Sequence, residues 1–287
     1  MKPAAVTWHP NAPRPLALVL GTNEIASAVA VKLNQARFAV VMSHDTFPPV
    51  IRRGMAFHDA LFGEHREVAG VIGACADSIA DVVRIHREPD QVAVTAMHLT
   101  DIIAFRYPAV IVDARMQKHL VTPDLRGVAG IAIGIGPRFA IGLNCDIAIE
   151  THPCETGVIV SQGTTKQADG NARDLGGAGR ERFVYSDRDG IWHTPLDVGT
   201  RVYKGLQLGS LDGAAVVAPM DGTLRGIVRD GSRVPANVKL VEVDPRGRHA
   251  CWTGMDGRGH AIGASVIAAI EKIMQTGRKT GHVSVKV

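Results

Sequence analysis

Three groups of residues in this 287-residue chain have the types and spacing that chemistry uses. The first is the turn Gly21-Thr22-Asn23-Glu24-Ile25-Ala26. It has the form G-x-G-x-x-G/A with Asn23 in place of the second glycine, and backbone N–H groups at such a turn attract phosphate. Asp45 follows near the place where a dinucleotide fold puts its ribose-binding acid. Nucleotide binding and a plain strand-to-helix turn that packs Ala26 are both open readings. The second group is Asp113-Ala114-Arg115, with Lys118 soon after. An aspartate and an arginine two apart hold each other and leave donors for an anion; the alternative is a structural ion pair. The third is Gly134-Ile135-Gly136-Pro137, then Asn144-Cys145-Asp146, then Glu150-Thr151-His152. Glycines admit a ligand close to the backbone.

Acid–base work needs a positioned carboxylate or imidazole. The candidates for it are Asp113, Asp146, Glu150 and His152. The candidates for holding a cofactor are Gly21, Asn23, Asp45, Asp113, Arg115, Lys118, Gly134, Gly136 and Asn144. Turn residues and strand ends account for Asp146, Glu150 and His152 better than a metal does, so no metal is assigned. There is no nucleophile elbow, Walker P-loop or H-E-x-x-H. Whether the chain is an enzyme stays open.

These residues need elements to carry them. Leu16–Leu20 is an apolar run ending at Gly21. Ile25, Ala28, Val29 and Leu33 then recur at helical spacing over 24–35, and Phe38–Met42 is a second apolar run. A helix is expected over Met55–Phe62, a strand over Val68–Ala74 and a helix over Ser78–His86. Val92–Thr95, a short helix over Leu99–Phe105 and the buried-type strand Val110–Val112 follow. Strands alternating with helices predict an open, largely parallel sheet, whose ligands collect at the carboxyl edge. Ile131–Ile135, Ile147–Ile149 and Val158–Val160 are further short strands. Residues 163–182 are glycine-rich and read as a flexible linker. Ala261–Met274 has helical spacing, with Gly277 as its stop and a tail from Arg278.

Between linker and helix the chain repeats itself at an offset of 32 residues. Val184/Val216, Asp189/Asp221, Gly190/Gly222, Gly199/Gly231, Arg201/Arg233, Val202/Val234, Leu208/Leu240 and Asp212/Asp244 are identical pairs. Such a strand unit cannot bury its apolar face alone, whereas two copies close on each other. The expected organisation is therefore α/β: a Rossmann-like N-terminal domain over 15–162, a linker over 163–182, an all-β domain over 183–250 and a returning helix over 251–277.

Composition narrows the function classes. Aromatic residues are 5% of the chain, too few for stacking platforms, and no basic run forms a nucleic-acid arm. No nucleic acid is expected. No stretch approaches the roughly 20 apolar residues of a membrane span, and the N-terminus lacks the apolar core of a signal peptide. Cys75, Cys145, Cys154 and Cys251 have neither C-x-x-C nor zinc spacing, which suits reduced thiols in the cytoplasm. Of 32 basic residues 23 are arginine, the side chain suited to carboxylate or phosphate recognition.

The repeat, with G-x-R-V in each half and Val216–Gly222 between, resembles the biotinyl/lipoyl barrel-sandwich hybrid fold. That fold's carriers modify a lysine at the hairpin between the halves. Here the hairpin reads Gly209-Ser210-Leu211-Asp212-Gly213-Ala214, and no lysine occurs between Lys204 and Lys239, so no biotin or lipoate is expected. Over nearly its whole length the chain resembles the selenium-dependent molybdenum hydroxylase accessory family. The resemblance is carried by 21–30, by Pro49–Phe57 with Arg52-Arg53, by Val112–Met116, by Gly134–Pro137 and by Asn144–Asp146. It continues through Glu150-Thr151, the two halves of the repeat, Val243–Arg246 and Ala261–Gly263. It implies an accessory or maturation protein of molybdenum cofactor biosynthesis, with a small anionic nucleotide-like or molybdopterin-type ligand at the sheet edge and a client molybdenum enzyme as partner. An NAD(P)-dependent oxidoreductase using Gly21 and Asp45 is the alternative, and a non-catalytic interaction module in one-carbon or cofactor metabolism is another. A homo-oligomer is left open.

Overall fold

The computed structural model describes residues 13–117 and 121–280, with side chains to 275. The N-terminal part begins with β1 (Leu16–Leu20), α1 (Glu24–Gln35) and β2 (Ala39–Ser43). β3 (Arg66–Val68), β4 (Val71–Cys75), α2 (Ile79–Ile85), β5 (Gln91–Thr95), α3 (Leu99–Phe105) and β6 (Val110–Asp113) follow. β7 (Ile131–Ile135), β8 (Ile147–Ile149) and β9 (Ile159–Val160) complete it. The strands form one nine-stranded sheet in the order β3-β4-β5-β2-β1-β6-β7-β8-β9. β4 through β8 run parallel; only the edge strands β3 and β9 are antiparallel. The α/β class is therefore as the alternation predicts.

All five residues of β1 are buried, because helices cover both faces of the sheet. Ala17, Val19, Val40 and Met42 pack under α1 and a C-terminal helix, α4 (Gly257–Thr280). Leu16, Leu18, Leu20, Val41 and Ile111 pack with Val82 of α2 and Ile102 of α3. α4 crosses α1 closely at Gly259 and Gly263, where an added Cβ would lie 3.0 Å from Ala28 Cβ and 2.8 Å from Lys32 Cγ respectively.

The remaining strands are β10 (Phe183–Tyr185), β11 (Gly190–His193), β12 (Arg201–Val202) and β13 (Gln207–Leu211), then β14 (Ala214–Val217), β15 (Gly222–Ile227), β16 (Arg233–Val234) and β17 (Lys239–Asp244). They make two four-stranded sheets, β10-β17-β15-β12 and β14-β13-β11-β16. The two orders interconvert when each strand is exchanged for its partner 32 residues away. Each sheet thus takes two strands from each half of the repeat, and neither half closes a sheet pair alone. Trp192 sits fully buried between them with its indole N–H donating to Val228 O at 3.0 Å.

The nine-stranded sheet and the two smaller ones meet at residues 50–53. Ile51 packs into the core of the smaller sheets, and its carbonyl accepts Ile227 N at 2.8 Å. Arg53 Nε donates to Ile227 O at 3.0 Å.

Three local expectations are corrected. The strand expected over Val68–Ala74 is a hairpin that reverses at Ala69 (φ 51°) and Gly70 (φ 81°). The helix expected over Met55–Phe62 is two short 3-10 turns, Arg53–Met55 and His58–Phe62. Finally, α4 continues through Gly277 to Thr280, because the packed face over 262–270 outweighs the roughly 1 kcal/mol that one glycine costs a helix.

Candidate functional site

β1 connects to β2 on one side and neighbours β6 on the other, so the carboxyl ends of β1 and β6 form the switch point where open α/β sheets take ligands. Gly21 ends β1 there with φ 103°, a conformation other residues avoid. A Cβ at Gly21 would lie 3.2 Å from Ala114 O and from Arg115 Cα. Glycine is needed because the chain leaving β6 crosses directly over the turn. Asn23 then caps α1, its Oδ1 accepting Ile25 N at 2.9 Å and Ala26 N at 3.0 Å. Its Nδ2 donates to Ala114 O at 2.8 Å. The helix N-terminus that a phosphate would occupy is therefore filled by the protein's own side chain and by the 114–115 backbone.

That crossing strap carries the densest polar network at the edge. Both oxygens of Asp113, at the end of β6, accept from Arg115: Nε at 3.0 Å and an NH at 2.7 Å. Asp113 also accepts the Arg115 backbone N at 3.2 Å. The remaining Arg115 NH reaches Asp45 Oδ2 at 3.4 Å, and Gln117 Nε2 donates to the same oxygen at 2.9 Å. The hydrogen bonds that Arg115 donates to Asp113, opposed by burial and helped by the charges of Asp113 and Asp45, hold Arg115 above its ordinary pKa. With Met116, Gln117, Thr122, Ile135, Pro137 and Phe139, Asp113 and Arg115 line a cleft of about 250 Å³ counted to its mouth. Only about 10 Å³ of it is open to the centre of a water molecule, space for one water. Among the described residues the network holds two carboxylates against one guanidinium. Lys118 lies outside the described residues. An anion at this edge would have to displace Asp45 or Asp113 from Arg115.

A second polar group adjoins the network. Thr22 Oγ1 lies 2.9 Å from His58 Nδ1 and 3.4 Å from His44 Nδ1, and the two imidazoles stand 5.2 Å apart. Burial, helped by the charge of His44, pushes His58 down to about 4. Burial also lowers His44, with Asp45 opposing. Both rings are neutral near pH 7.

The third group of sequence candidates is structural where its contacts are concerned. Asp146 accepts Ala132 N at 2.7 Å and ties β7 to the turn before β8. Glu150 is buried and accepts three backbone N–H groups: Thr151 at 2.6 Å, His152 at 2.7 Å and Lys166 at 2.8 Å. His152 stands 3.8 Å from Asp169, and its buried Nδ1 has no hydrogen-bond partner among the described residues. Asn144 closes the 138–145 loop through Ala140 N at 2.9 Å and Arg138 O at 3.0 Å. Gly134 is glycine because a Cβ would lie 2.1 Å from the Phe139 ring. Gly136, at φ 105°, faces Met116 at the cleft. Among the described residues no group of three or more His, Cys, Asp or Glu is placed to hold a metal.

The structure thus brings Asp45, Asp113, Arg115 and Gly136 together and leaves Asp146, Glu150 and Asn144 in separate loops. Sequence reasoning missed Gln117, Thr122, Thr22, His44 and His58. Gln117 had a signal, two residues beyond Arg115 on the same strap. His44 adjoins Asp45 at the end of β2. His58 had none, because only the packing of a 3-10 turn under the edge brings it to Thr22.

No family model matches the chain. It is similar to the uncharacterized protein YqeB of Escherichia coli (strain K12), 29% identical over 280 residues. The alignment covers 97% of this chain and 50% of YqeB, so the chain spans about half the length of that relative. Among solved structures it is similar to the ectoine utilization protein EutE (DoeB) from Ruegeria pomeroyi. There the identity is 12%, the coverage 81% of this chain and 86% of that one, and the TM-score 0.27. An aspartoacylase family protein from Mesorhizobium loti matches at 10% identity, 82% and 86% coverage and a TM-score of 0.25. Likenesses this distant carry neither fold nor activity to this chain. The expected molybdenum-hydroxylase accessory family is corrected: no family model matches the chain, that family's included. The maturation function, the anionic nucleotide-like or pterin-like ligand and the NAD(P) and interaction-module alternatives go with it. The filled Gly21 turn and the carboxylate excess around Arg115 are the physical reasons against the anionic cofactors.

Proposed function

We propose that the chain is a small-molecule-binding protein whose ligand sits at the switch-point cleft, and that the ligand is a small amide or zwitterion with no net charge. The observation that carries this reading is the Asp45–Arg115–Asp113 network at the cleft wall. It presents a carboxylate and a guanidinium side by side, so a ligand with one donor end and one acceptor end exchanges with the internal pair at no change in charge. Met116, Ile135, Pro137 and Phe139 supply the apolar wall that small-molecule sites combine with a few polar groups. The inner part of the cleft holds about one water and the whole is about 250 Å³ counted to its mouth, so a ligand of amino-acid size sits at the mouth, against the Asp45–Arg115–Asp113 network.

In this reading the sheet over 15–162 is a Rossmann-like domain, and 183–250, after the linker 163–182, is a barrel-sandwich hybrid without a modifiable lysine. The returning helix over 251–277 belongs to the sheet. Among the described residues no helix is long and apolar enough to cross a membrane. Four unpaired cysteines suit work in the reducing cytoplasm.

Thermal shift with free amino acids and small amides, set against nucleotides and NAD, tests the proposal. A ligand at 100 times its dissociation constant adds about 2.7 kcal/mol. We expect stabilisation by a member of the first set, lost in Asp113→Asn and in Arg115→Ala. Stabilisation by nucleotides alone sinks the reading, as does a shift that both variants retain.

A further inference from the structure

The strongest unassigned feature is a knot of arginines where the nine-stranded sheet meets the smaller sheets. Glu242 of β17 is fully buried and accepts Arg52 twice, at 2.7 and 3.1 Å, and Arg182 Nε at 3.2 Å. Arg52 also donates to Glu24 at 3.1 Å, and Arg225 donates to Asp256 at 3.0 Å and to Cys251 O. Among the described residues two buried guanidinium nitrogens of this knot lack a hydrogen-bond partner. Arg225 is 5% exposed, yet its Nε has no hydrogen-bond partner and stands 3.8 Å from Glu242. Arg258, in the first turn of α4, is half-buried, and its buried Nε has no hydrogen-bond partner among the described residues. Its electrostatic neighbours are Glu24, Arg52, Arg173 and Asp256. Among the described residues Arg52, Arg182, Arg225 and Arg258 have Glu24, Glu242 and Asp256 close by, with Glu181 a further charge near Arg182, while Arg173 beside them is exposed and donates to Pro153 O at 3.0 Å and to Thr156 Oγ1.

A buried guanidinium N–H without an acceptor is costly, and burial drives a cation toward its neutral form. Arginine stays charged in proteins, so the missing term is an anion. Glu24 and Asp256 attract Arg258, but among the described residues neither accepts a hydrogen bond from it: Glu24 accepts Arg52, and Asp256 accepts Arg225 and, at 2.8 Å, Gly259 N.

We propose that Arg258, with Arg225, Arg52 and Arg173 around it, forms an oxyanion-binding site at the junction of the sheet and the smaller sheets, distinct in its residues from the Asp113 cleft. The ligand is a phosphate, sulfate or carboxylate group, because a guanidinium fork matches two oxygens of one such group. An ion bound there ties α1, α4 and the 173–182 segment through one charge.

The test is the melting temperature of the full chain in phosphate, sulfate or succinate against sodium chloride of matched ionic strength. We expect at least one of the three to raise it by about 2 °C or more, with succinate separating a carboxylate site from a phosphate site. Arg258→Met should remove the shift while melting in chloride no lower than the parent chain. Should Arg258→Met fail to fold, Arg258→Lys keeps the charge, loses the fork and should show a reduced shift. A parent chain indifferent to all three anions overturns the site. So does an undiminished shift in the variants, since that would mark a general surface effect.

Discussion

At the scale of single residues, the informative contrast is between groups that face the cleft and groups that are satisfied by backbone. Asp113 and Arg115 were legible because their pairing needs only a two-residue spacing at a strand end. Asp146 and Glu150 had the same apparent promise, but their oxygens are taken by main-chain N–H groups from 14 and 16 residues away. Nothing in their types reveals that. Gly134 misled for a physical reason: a ligand and the Phe139 ring require the same missing Cβ. His58 supplies a prediction at this scale. Its folded pKa, about 4, lies below the unfolded value of about 6.5. The unfolded chain therefore binds the proton first, and stability falls as pH drops from about 6.5 toward 4. His44, Arg53 and Arg229 repel the charged ring and Asp59 attracts it, with burial the largest cause. Full protonation costs on the order of 3 kcal/mol. Denaturant unfolding at pH 7, 6 and 5 should show a steeper loss for the parent than for His58→Gln. Parallel curves would mean that the imidazole is not the group responsible.

At the scale of elements, strands with uniform burial announced themselves. Leu16–Leu20, between Pro15 and Gly21, and Ile131–Ile135, between Gly130 and Gly136, have the bounds read from the sequence, since short apolar runs cut off by proline or glycine have few other uses. The hairpin at 66–75 did not. Its turn is Ala69-Gly70 rather than the Asn-Gly that usually marks a two-residue reversal, so Val68 and Val71 read as one strand. α1 shows how a damaged motif becomes a different device. The asparagine in the phosphate turn is an N-cap that also holds the strap after β6. Asn23→Ala removes two cap bonds and the bond to Ala114 O together. The cap alone is worth about 1 kcal/mol, and the strap bond to a buried carbonyl adds a similar amount. We expect a loss of about 2 kcal/mol by denaturant unfolding, with Asn23→Asp recovering the cap but not the strap. If Asn23→Asp matched the parent, the bond to Ala114 O would contribute nothing.

At the scale of the whole molecule, the 32-residue repeat was the most legible feature, and the junction it makes with the sheet was the least. The repeat is visible because each half must supply the same strands to a symmetric pair of sheets. The junction is not, because Glu242 and Arg52 lie 190 residues apart, and charged residues in a sequence usually mark solvent. Glu242 is fully buried, and although burial pushes its carboxyl up, the charges of Arg52, Arg225 and Arg182 outweigh it and hold the pKa below the usual range. Its contribution is thus present at neutral pH and is lost as pH falls below the ordinary carboxylate range. Glu242→Gln keeps the shape and removes the charge on which Arg52 and Arg182 converge. Breaking a buried pair from one side costs about 3–5 kcal/mol, a large share of the 5–15 kcal/mol that a domain has. Because Arg52 belongs to the sheet side and Glu242 to β17, the loss falls on the junction. We expect Glu242→Gln to unfold in two steps where the parent unfolds in one, and to be cut by protease within 163–182 at a concentration the parent resists. Arg182→Gln should be milder, since Arg52 still holds Glu242 with two hydrogen bonds. A single transition in Glu242→Gln, at the parent's midpoint, would show that Ile51 and its backbone bonds carry the junction without the charges.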